Sequence, residues 1–512
     1  MQIKVKCLLV IMFFGLAPIV WADTTLLATP QGSLIGETVG VASSVRAFKG
    51  IPYAAPPVGV RRWQPPAAAP VWRGELLATS FASNCMQEPY PENSFYYRPA
   101  RLTSEDCLYL NVWTAAEVGE SLPVMVWIHG GALTRGSGAT VTYDGTSLAQ
   151  KGVVLVTINY RLGVFGYFAH PELIEESPSN AAGNYGLLDQ IKALEWVKAN
   201  IEAFGGDASN VTIFGESAGS WSVNLLTASP LADGLFHKAI GESGARLDPR
   251  MTIEEAAEDG IRLSNSVDAE SLLELRQIPA ADLLTVASSE RFRTDAIVDG
   301  WSIPDQPFNL FSEGRQNKVP VLIGYNAEEG TTLGVLQRIP ENDDVYISRA
   351  RSLYGDLAGE FLDVYPVDDI RRSTLDSYRD SSFGWNMITW ARLTEKVNEN
   401  AYLYYFSHEP PGENQRELGA YHAAEIAYAF DNAHTLRAEP SESDIEMASI
   451  ISDYWINFAR SGNPNGPGLT EWKEFSNVMP NYLEFNDGAT AGSDITPDAW
   501  NFFDKLQARR RQ

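Results

Sequence analysis

A serine set between two glycines directly after a run of β-forming residues, VTIFGESAGS over 211–220, is the stretch of this chain best equipped for chemistry. In the context strand, Gly-x-Ser-x-Gly, helix, the serine is held in a strained turn at the C-terminal edge of a sheet and presented as a nucleophile. Gly215 and Gly219 permit the tight turn. The helix that follows brings amide N–H groups and the positive end of its dipole towards a developing oxyanion. The bare pattern arises often by chance, but here it occurs once and in that context.

A serine hydroxyl is a weak nucleophile until a base takes its proton, so a histidine is required. The chain has six: His129, His170, His237, His408, His422 and His434. In the order serine, acid, histidine that belongs to this kind of sheet, the base comes last, which leaves His408, His422 and His434. His422, in LGAYHAAEIAYAF, stands where a loop meets a helix-like segment and is the choice. The acid should follow a strand between Ser217 and His422. VPVLIGYNAEEG supplies that strand, a turn, and the adjacent carboxylates Glu328 and Glu329; the residues alone leave these two tied.

Such groups need a frame. LPVMVWIHGG and VVLVTINYRLG read as buried strands, GLLDQIKALEWVKANI carries apolar residues at helical spacing, and VTIFG, SWSVNLLTAS and KAIGESG continue the alternation of strand and helix. This pattern predicts an α/β fold, a sheet covered by helices on both faces. Residues from about 250 to 400 are richer in helical patterns and acidic runs, as expected of long insertions.

The 512 residues, 45% hydrophobic and 20% charged, are ample for a large core and argue against extensive disorder. Lys4 and Lys6 precede an apolar run from Cys7 to Trp21, shorter than the roughly 20 residues of a membrane span. With Val20-Trp21-Ala22 as a cleavage site, residues 1–22 read as a secretory signal peptide and 23–512 as one catalytic domain. Removing the signal takes away two lysines and no acid, moving the formal charge from −26 to −28. So acidic a surface disfavours nucleic acid and anionic membranes. The expected location is secreted or periplasmic, with no membrane anchor. In an exported chain the isolated pair Cys85 and Cys107 reads as a disulfide. The loop it closes carries Tyr90, Phe95, Tyr96 and Tyr97, either as a lid over a pocket or as a cluster packed beneath the loop. No metal or organic cofactor is expected, because histidines and cysteines are few and scattered.

Several longer blocks carry a resemblance: AFKGIPYAAPPVGVRRWQPP, SEDCLYLNVW, VMVWIHGGAL, INYRLGVFGYF, GNYGLLDQIKALEWVKANIEAFGGDASNVTIFGESAGS, GYNAEEG and AYHAAEIAYAF, in that order. Together with the closing YWINFARSGNPNGPG and Trp472, they resemble the type-B carboxylesterase family, the cholinesterase-like branch of the α/β-hydrolases. The resemblance implies a central, mostly parallel sheet and hydrolysis of carboxylic esters by Ser217, Glu329 and His422, and so selects Glu329 over Glu328. It implies an oxyanion hole from the amides of Gly131, Ala132 and Ala218, where many members carry a third glycine in place of Ala132. It pairs Cys85 with Cys107 and assigns supporting positions to Glu216 and Ser243. Two other readings stand beside the esterase: a binding protein of the same fold without activity, and a hydrolase of amide, carbamate or lactone bonds. Trp221, four residues after the nucleophile where members usually have a small residue, either narrows the acyl pocket or is a buried helix aromatic. The aromatics Tyr96, Tyr97 and Trp301 are candidates to favour bulky esters.

Overall fold

Runs such as VMVWI, VLVTI and VLIGYN bury every residue. Strands buried on both faces pair in parallel and require cover above and below. A computed structural model describes residues 24–511, so the signal-peptide reading of residues 1–22 lies outside the described residues. Twelve strands follow one another in the chain: β1 (Thr24–Thr29), β2 (Gly32–Val39), β3 (Val45–Pro52), β4 (Tyr109–Thr114), β5 (Leu122–Ile128), β6 (Val154–Ile158), β7 (Gly206–Glu216), β8 (Lys238–Glu242), β9 (Val321–Asn326), β10 (Ala401–Phe406), β11 (Asn481–Phe485) and β12 (Ala489–Ser493). They form one sheet in the order β1-β2-β3-β4-β6-β5-β7-β8-β9-β10-β11-β12, and a short strand, Glu75–Leu77, pairs with β2. From β6 to β11 every pairing is parallel, while both edges are antiparallel.

Alternation along each strand sorts the core into two layers. Val124, Val126, Ile128, Ile213 and Ile323 join one buried cluster, to which α1 (Tyr185–Asn200), α2 (Ala218–Ala228) and α3 (Trp385–Lys396) contribute Leu194, Val223 and Trp390. Met125, Trp127, Phe214 and Leu322 face the other way, onto Met447, Ile451 and Trp455 of α4 (Glu442–Ser461). The helices thus lie on both faces, as the alternation of strand and helix requires. The insertions lie where expected: four helices between β8 and β9 and four between β9 and β10. A last helix, α5 (Pro497–Arg510), packs Phe502, Phe503 and Leu506 into the first cluster.

Candidate active site

The turn between β7 and α2 explains its own sequence. Ser217 sits at φ 55° and ψ −120°, a conformation that side chains rarely adopt, and it is 9% exposed. A Cβ on Gly215 would stand 2.5 Å from the Ile128 carbonyl oxygen, and one on Gly219 only 2.0 Å from it. Both glycines are therefore required by the approach of β5, and the serine between them has nowhere to turn but outward.

Glu329 arrives from the end of a strand, and His422 from a turn in the connection between β10 and α4. Glu329 follows β9, is fully buried, and takes the Asn326 amide on Oε1 at 2.9 Å. Its Oε2 lies 2.5 Å from Nδ1 of His422. Glu328 goes elsewhere: it accepts from the Ala420 amide and pairs with Arg372 at 3.2 Å. Of the other late histidines, His408 is held between Asp444 and the Asn486 carbonyl, and His434 is exposed on a 3-10 turn.

Ser217 Oγ and His422 are not hydrogen-bonded to one another. The imidazole Nε2 instead stands 3.1 Å from Oε1 of Glu216, out of line for a hydrogen bond. Contacts between a nucleophile and its base commonly tighten only when substrate is bound.

The amides of Gly131 and Ala132 find no acceptor among the described residues, and Ala218, the first residue of α2, has none in its own helix. Gly131 is at φ 106°, with Arg135 too close for a side chain, as a left-handed turn demands. Ala132, exposed, is held at φ 55°, where a Cβ costs about 1 kcal/mol.

Around the imidazole lies a cluster of carboxyls that motif reasoning found only in part. Glu242, at the end of β8, accepts from Trp455 Nε1 at 2.7 Å. Glu425 accepts from Asn326 Nδ2 at 2.5 Å and from Ser243 Oγ at 3.3 Å. Glu216, Glu242, Glu329 and Glu425 are all buried, so they cannot all be ionised. Burial, against the pull of His422, pushes Glu216 up to about 8. Burial and Glu329 push Glu425 up to about 7, and burial and Glu425 hold Glu242 well above the carboxylate range. Burial alone would lower His422, but Glu216 and Glu329 outweigh it and raise it to about 9. Glu425 stands three residues after His422, which was the one available sign of its place.

The disulfide loop is fastened to this site. Cys85 and Cys107 are bonded, with Cα atoms 5.0 Å apart. From the loop, Gln87 donates to the Gly136 carbonyl and accepts the Gly136 amide. Tyr96 shares a hydrogen bond of 2.6 Å with Thr332 and donates to the His422 carbonyl at 3.0 Å. Phe95 packs on Tyr421. Trp301 is partly buried against the core, and Tyr97 is 38% exposed.

With the geometry in place, comparison with known proteins decides the family. The sequence profile described as the carboxylesterase family matches residues 23–503. The chain belongs to the carboxylesterase family. It is 37% identical to a fumonisin B1 esterase of Sphingopyxis macrogoltabida (86% of this chain, 83% of that one). It is equally identical to the para-nitrobenzyl esterase of Bacillus subtilis (86% and 90%) and to a medium-chain fatty acyl-CoA hydrolase precursor of Anas platyrhynchos (95% and 93%). A solved PNB esterase superimposes with a TM-score of 0.82 at 34% identity, covering 93% of this chain and 99% of the other. A carboxylesterase of Geobacillus stearothermophilus gives 0.82 at 33%, covering 93% and 100%. This carboxylesterase has the α/β-hydrolase fold and is a carboxylic-ester hydrolase acting on small ester substrates.

Proposed function

We propose that this carboxylesterase works through an acyl-enzyme on Ser217. His422, oriented by Glu329, takes the hydroxyl proton on Nε2 as Ser217 Oγ bonds to the ester carbonyl carbon. The oxyanion is received by the amides of Gly131, Ala132 and Ala218. The C–O bond to the alcohol then breaks, and His422 returns the proton to the departing oxygen. Water repeats the sequence: it gives a proton to His422, attacks the acyl carbon, and releases the acid as Ser217 regains its proton.

The observation that carries this reading is the strained Ser217 at the strand-to-helix junction beside a histidine held by a buried glutamate at 2.5 Å. Further support for an exported enzyme, secreted or periplasmic and free of a membrane anchor, comes from the formed disulfide. No helix among the described residues is long and apolar enough to cross a membrane. Residues 23–512 act in this reading as a single catalytic domain after a cleaved leader of 1–22, without nucleic acid and without a cofactor.

The test is hydrolysis of p-nitrophenyl esters from acetate to palmitate by residues 23–512, beside Ser217→Ala. The wild type turns over the shorter esters, and the variant loses about 10⁴-fold or more in kcat while still folding. A folded wild type inactive across the series points to a binding protein instead.

A further inference from the structure

One turn along α2 from Ser217, Trp221 forms part of the wall of a cavity of about 410 Å³ that Arg246, Asp248, Phe383, Gln507 and Arg510 also line. Two of these residues connect it to the reacting groups. Phe383 packs on the His422 ring at 4.9 Å, and the Trp221 amide donates to the Ser217 carbonyl at 2.9 Å, one turn along α2. Gly244 lets the chain after β8 come in against this turn, since a Cβ there would stand 2.6 Å from the Ser217 carbonyl oxygen and 2.7 Å from the Trp221 ring. Arg246 follows two residues later, its amide fixed on Asn224, and lays its guanidinium 3.5 Å over the centre of the Trp221 indole.

The charge on that guanidinium is poorly met. Its one ion pair among the described residues is with Asp295, at 3.2 Å, and Arg250 holds the same carboxylate more closely, at 2.6 Å. Arg250 also takes Asp248, the only acidic side chain of the cavity wall. Arg246 Nε is buried without a partner. Arg510, at the far wall, makes no ion pair among the described residues. A buried guanidinium N–H with nothing to bond costs free energy until something supplies an acceptor. Here the wall offers the apolar side chains of Phe383, Phe503 and Leu506 for a short stem and two cations for a planar anion.

We propose that this cavity is an acyl subsite for a carboxylate, so that the preferred substrates are half-esters of short dicarboxylic acids, with the free carboxylate received by Arg246. The inference rests on the acyl-enzyme at Ser217 proposed above, since it is the acyl chain on that oxygen which reaches past Trp221. Attachment at Ser217 places the carbonyl at the oxyanion hole and runs the methylenes past Phe383 and the rim of Trp221, and the terminal carboxylate supplies the missing partner of the guanidinium. Arg510 adds long-range attraction from the more exposed wall. Neutral acyl chains of the same length fill the space but leave Arg246 unmet.

The two chemistries are separated by monoethyl glutarate and ethyl valerate, esters of one alcohol with acyl chains of five carbons, followed by ethanol release. The wild type shows a higher kcat/KM on the half-ester. In Arg246→Gln the ratio of half-ester to valerate falls by about 30-fold or more, Arg246→Lys recovers part of it, and Arg510→Gln lowers it less. As a check that needs no variant, glutarate inhibits wild-type hydrolysis of valerate competitively and far better than glutaramide. A wild type that favours valerate and is inhibited no better by glutarate overturns the subsite, as does a folded Arg246→Gln whose ratio is unmoved. Failure to hydrolyse either ester overturns instead the esterase mechanism on which the subsite rests.

Discussion

Near Ser217 stand Glu329 and the Gly130–Gly131 turn, fixed by strand ends, and His422, held by Glu329; beyond Trp221 is a cavity walled by residues near 221, 246, 383 and 507. The first side is made of buried polar groups and strained backbone that leave a side chain one direction to point. The second is made of loops and helices from at least four separated stretches of chain, with charges only partly paired. Backbone geometry writes itself into short motifs, whereas a wall assembled from distant segments leaves no local pattern. The chemistry of the site was therefore open to reading in a way that its selectivity was not.

The comparison can be broken hardest on the rigid side. Gly219→Ala puts a methyl group 2.0 Å from the Ile128 carbonyl, where backbone meets backbone and neither can withdraw. It should destabilise by more than about 3 kcal/mol, read as a lower urea midpoint, and abolish activity before unfolding begins. If Gly219→Ala keeps wild-type stability and turnover, the turn is softer than its contacts say.

Next comes the fastening of the loop. Replacing Cys85 and Cys107 by serine opens a closed segment spanning 22 residues and should cost about 3 kcal/mol in the chain-entropy picture. Because Gln87 and Tyr96 tie this loop to the oxyanion turn and to the His422 carbonyl, KM should rise before kcat falls. Equal loss of both would place the loop with the rigid side instead.

The smallest effect concerns the buried carboxyls. His422 is held high by Glu216 and Glu329, so the free base accumulates only as the pH rises, and the acid limb of kcat/KM lies above that of an ordinary histidine. Glu216→Gln removes one of those two charges. The limb should then move to lower pH by about one unit, with the pair titrating as a unit in the wild type. A limb that stays put would mean that Glu216 carries no charge while His422 titrates.

How far the sequence reached follows the same division. The β5, β7 and β8 segments were legible because each carries a short β-forming apolar stretch that runs up to a glycine, and Gly215-x-Ser217-x-Gly219 was legible because only glycine fits beside Ile128. Choosing between Glu328 and Glu329 was not possible from the residues, since the difference lies in which of two adjacent carboxyls the turn after β9 aims inward. The antiparallel strands β1 and β2 escaped the reading because their Thr, Ser and Gly content and half-exposed faces give weak alternation. Arg246 and Phe383 gave no sign at all: they meet the site through contacts across long stretches of chain. Trp221, left open between two readings, lines the cavity.

The central claim is that the acyl group passes through Ser217. Turnover of p-nitrophenyl butyrate should be quenched in its first moments, the protein digested, and the acylated peptide located by mass. The account predicts a stoichiometric burst of p-nitrophenol and a butyryl group on the peptide carrying Ser217, absent in Ser217→Ala. A butyryl group on any other residue, or turnover undiminished in that variant, would contradict it.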